Sequence, residues 1–137
     1  MNIFEEVKKL SLPLGEYIVL GSGILGALGI REIGDVDLTV SPRLFRELRE
    51  QGFEYGEIEF EGRMRQRITK GNTEAYKDFW CGGKQLDTIK MIAEAEIIDG
   101  VAFLSLTKLR EIKKEMNREK DIRDIELIDA YLLNFSR

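Results

Sequence analysis

From Tyr17 to Val40 the chain reads YIVLGSGILGALGIREIGDVDLTV. An apolar, β-forming run meets Gly21-Ser22-Gly23, a segment of small and apolar residues follows, and a second apolar run opens with Asp35-Val36-Asp37. The pattern predicts a short buried strand over Tyr17–Leu20, a turn, a short helix over Ile24–Leu28 ending near Gly29, and a strand over Val36–Val40. Strand, helix and strand in that order indicate an α/β domain.

The same segment carries a chemical signal. Side chains alternate along a strand, so Asp35 and Asp37 share one face, about 7 Å apart, and Val36 points the other way. Carboxylates so placed repel each other unless a cation lies between them. Ahead of them, Gly21 lacks the Cβ that would hold a phosphate off, and the Ser22 hydroxyl and the backbone N–H groups at a helix start can donate to an anion. A strand–Gly-Ser–helix turn alone is as often structural as functional, and Asp-x-Asp alone is a weaker signal still. Flanking one unit, they would converge at one end of a sheet as a metal–nucleotide site.

Composition narrows the chemistry. The chain of 137 residues contains no histidine and one cysteine, Cys81. Imidazole catalysis, imidazole metal ligation, an internal disulfide and cysteine-rich zinc motifs are all excluded. A hard cation held by oxygen ligands is the metal site this set can build. A third carboxylate is available in KQLDTIK, where Asp87 sits in an alternating run read as a strand over Gln85–Met91. Beside the strand of Asp37, Asp87 would complete a triad; on an edge strand it would be a surface aspartate. The net charge of −4 gives no sign of broad adhesion to nucleic acid or anionic lipid, although Arg63, Arg65, Arg67 and Lys70 cluster locally. The N-terminal MNIFEEVKKL has no apolar signal core, and no run is long enough to span a bilayer. A cytoplasmic protein with no membrane partner is expected.

The rest reads as one α/β domain over residues 1–137. A helix is expected over Asn2–Leu10, and another begins at Ser41-Pro42 with Leu44, Phe45 and Leu48 inward and Gly52 at its end. Strands or a hairpin are expected over Phe53–Lys70 with turns at Gly56 and Gly62, and over Ala95–Phe103 with a break at Asp99-Gly100. Two helices close the chain. The first, Leu106–Met116, turns Leu106, Leu109, Ile112 and Met116 inward; the second, Lys120–Phe135, turns Ile122, Ile125, Ile128, Leu132 and Phe135 inward. Trp80 is a candidate for an exposed dimer or partner surface.

With these residues in place, the chain resembles the DNA polymerase β-type nucleotidyltransferases. The similarity is to their small single-domain branch of antibiotic nucleotidyltransferases and of the related proteins of abortive-infection and toxin–antitoxin systems. Gly21, Ser22, Asp35 and Asp37 match the Gly-Ser and Asp-x-Asp of that pattern, Asp87 its later strand aspartate, and Lys113, Arg118, Lys120 and Asp121 its Arg-x-Lys-Asp segment. Gly34 stands where the family has serine or threonine. The resemblance implies a nucleotidyltransferase fold, a mixed β-sheet flanked by helices with two helices at the C-terminus. It implies transfer of a nucleoside monophosphate from an NTP to a hydroxyl of a small-molecule, protein or RNA acceptor. Two Mg²⁺ ions would lie on Asp35, Asp37 and Asp87, with Gly21, Ser22, Lys113, Arg118 and Lys120 holding the NTP. The alternatives are an inactive nucleotidyltransferase-like binding or antitoxin-type protein and, less well matched, a metal-dependent phosphodiesterase or nuclease.

Overall fold

The computed structural model describes residues 1–135, and the side chain of Phe135, expected to face inward, lies outside the described residues. In chain order the elements are α1 (Ile3–Lys8), β1 (Tyr17–Val19), α2 (Gly23–Ala27), β2 (Val36–Val40), α3 (Pro42–Glu50), β3 (Glu54–Phe60), β4 (Arg63–Lys70) and β5 (Thr73–Tyr76). They continue with β6 (Trp80–Cys81), β7 (Lys84–Gln85), α4 (Thr88–Ala93), β8 (Glu96–Ile98), β9 (Val101–Phe103), α5 (Leu106–Met116) and α6 (Glu119–Phe135). The architecture is mixed α/β. Seven strands form one sheet in the order β3-β4-β5-β2-β1-β9-β8, and β6 and β7 pair separately.

The sheet is mixed because its centre has both kinds of neighbour. β1 runs antiparallel to β2, with Val19 opposite Leu38. β2 runs parallel to β5, with Asp37 opposite Glu74, and β1 runs parallel to β9. Alternation sorts the side chains. Val36, Leu38 and Val40 are buried on one face of β2, while Asp37 and Thr39 point to the other. Helices α1 and α2 pack on the Val19–Phe103 face: Phe4 meets Phe103 edge-on at 5.6 Å, and Gly23 lies so close to Val19 that a Cβ would stand 2.4 Å from its Cγ1. On the opposite face Ile18 borders a cavity with Met91 of α4 and Leu104.

Local signals set the helix starts. Asn2 Oδ1 accepts from the N–H groups of Phe4 and Glu5, Ser41 Oγ from Leu44 N and Ser105 Oγ from Lys108 N. Asn117 stops α5 in the left-handed region at φ +51°.

Four expectations are corrected. Of the two expected turns, Gly62 closes the hairpin with Glu61, whereas Gly56 lies inside β3. The strand expected over Gln85–Met91 is two residues of β7 followed by α4: Asp87 Oδ1 accepts from Lys90 N and caps that helix, and Met91 and Ile92 are its buried residues. In α6 the inward positions are Asp121, Asp124 and Ile128, one helical face, whereas Ile122 and Leu132 are exposed. Trp80 is half-buried under the Arg63 guanidinium, 3.8 Å from its ring centre, rather than an open apolar surface.

Candidate functional site

β1 ends at Val19, and Gly21 turns the chain into α2 at φ +58°, a conformation glycine adopts freely. A Cβ at Gly21 would stand 3.3 Å from Asp37 Oδ2, so the turn passes directly over the carboxylate of the neighbouring strand. The result is a cavity of about 470 Å³ bordered by Gly21, Ser22, Asp35, Asp37, Lys113, Arg118 and Lys120. Seven of the eight residues singled out from sequence therefore face one space.

Asp87 does not. It is exposed at the head of α4, engaged in capping, and absent from this cavity. The carboxylate beside Asp37 belongs to Glu74 of β5, its partner in the parallel register. The signal was present in Thr73-Glu74-Ala75-Tyr76, whose strict alternation buries Thr73 and Ala75 and turns Glu74 and Tyr76 the other way. Which strand β5 would join is what the local pattern did not contain.

Burial, then the charges of Glu74 and Asp35, and a hydrogen bond shared with Glu74 push the Asp37 carboxyl up to about 6, against the pull of Lys120. Glu74 also accepts from Arg67 Nη1 at 3.0 Å. Among the described residues no three His, Cys, Asp or Glu side chains form a ready-made metal cluster. The donors nevertheless suit a hard dication: all are oxygens, and two carboxylates already adjoin at a repulsion that such an ion would relieve.

The cationic wall is differently built from what the sequence suggested. Lys113, 6% exposed, gives its Nζ to Asp124 Oδ2 at 2.9 Å and Asp121 Oδ1 at 3.4 Å. Arg118 binds Asp121 through Nε at 2.6 Å, and its backbone N–H reaches the same carboxylate at 3.1 Å, so Asp121 also caps the start of α6. Arg31, which sequence reading passed over, grips Asp124 with two N–H groups at 2.8 and 2.9 Å and donates from Nη2 to Ser22 Oγ at 2.8 Å. Three cations thus share two carboxylates, leaving one net positive charge beside the turn. Because Ser22 Oγ accepts from Arg31, its own proton is left to donate to an incoming anion. Lys120 is exposed and makes no ion pair among the described residues. On the far side of Asp37, Arg65 is held by Asp78 at 2.8 Å and lies 4.1 Å above the Tyr76 ring.

These environments give opposite pH responses. Burial alone would raise Asp121 and Asp124, but the hydrogen bonds and charges of Arg118 and Lys113 on the first, and of Arg31 and Lys113 on the second, hold both below the usual carboxylate range. Their contribution to stability is complete above the unfolded value near 3.9 and is lost as pH falls through their folded values. Asp37 has the reverse sign: its folded value near 6 exceeds the unfolded one, so stability falls as pH rises from about 4 to 6. In metal-free buffer, urea midpoints measured against pH are expected to peak near pH 4 and to decline from there to about 6. In Asp37→Asn the alkaline side of that peak flattens and the acid side persists.

Comparison of the chain with models of protein families, with curated proteins and with solved structures finds no match to any of them.

Proposed function

We propose that the protein is a Mg²⁺-dependent nucleotidyltransferase of the polymerase β type, moving a nucleoside monophosphate from an NTP to an acceptor hydroxyl. The observation that carries the reading is that a glycine-serine turn lies directly over Asp37, with Asp35 and Glu74 beside it, in one cavity with an unpaired lysine. The strand order, with a parallel carboxylate-bearing neighbour next to the Asp-x-Asp strand, supports the nucleotidyltransferase fold for the same reason.

The chain's own groups divide the work. Gly21 and the Ser22 hydroxyl bind the outer phosphates, with Arg31 holding Ser22 Oγ from behind. Lys120, and the net charge of the Arg31–Lys113–Arg118 cluster, offset the triphosphate's charge. Asp35, Asp37 and Glu74 would hold Mg²⁺, which supplies charge neutralisation at the transferring phosphate and a lower pKa for the attacking hydroxyl. Glu74, which accepts from Arg67 on the side away from the turn, would take the proton of the acceptor hydroxyl.

Pyrophosphate release from each NTP, with and without Mg²⁺, tests the proposal. Glu74→Gln is expected to reduce the Mg²⁺-dependent rate by on the order of 10²–10³-fold, as for other lost transition-state contacts. Asp87→Asn should leave that rate unchanged; Asp87→Ala, which deletes the cap, should lower stability by about 1 kcal/mol with the rate likewise intact. If Asp87→Asn silenced the enzyme and Glu74→Gln did not, the assignment of the third carboxylate would be overturned. NTP binding without pyrophosphate from any candidate acceptor would leave a nucleotide-binding protein instead of a transferase.

A further inference from the structure

Next to the glycine-serine turn lies a second cavity of about 140 Å³. It shares Gly21, Phe79, Lys113 and Arg118 with the main pocket, so the two lie side by side at the turn. Its remaining walls are almost wholly apolar: Leu104, Leu109 and Ile112 are buried beneath it, and Met116 stands half-buried at its side. The carboxylate at its edge, Asp121, has no exposed surface and is already held by Lys113 and Arg118.

We infer that this pouch takes one aromatic ring, the pyrimidine base of the donor nucleotide, and so makes the protein selective for CTP and UTP. The inference rests on the transferase reading, which puts the triphosphate at Gly21 and Ser22. Size sets the ring count. A cavity of roughly 150 Å³ lined by Leu, Ile and Phe stays dry and accepts benzene, so a space of this volume admits one ring and leaves the second ring of a purine in the open pocket. The lining sets the kind of recognition. Asp121 and Lys113 are engaged to each other, and the donor left at the rim is Arg118, whose Nη1 makes no hydrogen bond among the described residues and can meet the O2 atom that cytosine and uracil share. Cytosine and uracil are therefore held alike, through Phe79 and the Met116 sulfur against the ring faces.

The test measures binding of CTP, UTP, ATP, GTP and inorganic tripolyphosphate to the full chain in Mg²⁺ by calorimetry. CTP and UTP are expected to bind about tenfold more tightly than tripolyphosphate, the scale of one stacked base, with ATP and GTP closer to tripolyphosphate. Met116→Trp, which fills the pouch, should bring CTP and UTP to the tripolyphosphate level while leaving tripolyphosphate itself unchanged. Should that variant fail to fold, Met116→Ala widens the pouch and is expected to narrow the gap between pyrimidine and purine nucleotides. Equal affinity for CTP and tripolyphosphate in the unaltered protein, or tighter binding of purines, overturns the pouch assignment and leaves the transferase reading standing. Absence of binding by tripolyphosphate and every NTP overturns both.

Discussion

Replacing Asp37 by asparagine is expected to silence magnesium-dependent nucleotide turnover and to stabilise the fold. The two effects share one cause. Asp37 is a largely buried carboxylate facing Glu74 and Asp35, and its pKa rises from 3.8 to about 6. At neutral pH it is ionised at a disadvantage. The shift corresponds to about 3 kcal/mol, and partial solvent contact reduces the recoverable part to about 1–2 kcal/mol. An asparagine amide would donate to the Glu74 carboxylate, keeping the contact and removing the repulsion. On the proposed assignment turnover should fall by on the order of 10³-fold, since one of the three carboxylates assigned to the dication is lost. Thermal melting in EDTA would show a rise of a few degrees for the variant, and Mg²⁺ should stabilise only the unaltered protein. A variant that melts lower in EDTA, or retains turnover, would contradict this account of the site.

The second large effect lies at the opposite sign. Asp124→Ala is expected to lower the unfolding free energy by about 3–5 kcal/mol, because it removes the nearer counter-charge of the buried Lys113 together with the carboxylate that holds the partly exposed Arg31. Asp124 is 4% exposed and neutralises both Arg31 and Lys113; without it Lys113 retains only Asp121, which already serves Arg118. Against a total stability of about 5–15 kcal/mol for a domain of this kind, such a loss is a large fraction. Asp129→Ala breaks an ion pair of comparable geometry, Arg110 to Asp129 at 2.7 Å, but on the exposed side of α6, and should change stability little. Urea unfolding of the two variants side by side separates burial from mere proximity. Equal midpoints for the pair would show that the Asp124 cluster is no more than surface charge.

Much of the scaffold is legible in the sequence because its signals are local. Ser41-Pro42 starts α3, Ser105 caps α5, and the Gly-Ser turn between two apolar runs yields β1, α2 and β2. What escapes reading is pairing. Glu74 becomes a neighbour of Asp37 only because β5 joins β2 in parallel, which no window of sequence contains. Arg31 and Asp124 meet across 93 residues, so neither stands out as more than a surface charge. The run around Asp87 misleads for a different reason. Leu86-Asp87-Thr88-Ile89 alternates over too few residues to separate a strand from a capped helix, and the buried pair Met91 and Ile92 decides for the helix. In α6 the apolar period is similarly misleading, since buried carboxylates occupy the stripe that isoleucines were expected to fill.

The span between Arg31 and Asp124 also sets an order of events during synthesis. Gly21, Ser22 and Arg31 leave the ribosome long before α6 exists, and until Asp124 arrives the arginine has no counter-charge to hold it against the serine. A nascent chain can pair β1 with β2 early, yet Arg31 is held against Ser22 by Asp124 only once α6 docks. The cavity's cationic wall of Lys113, Arg118 and Lys120 likewise comes from late-synthesised residues.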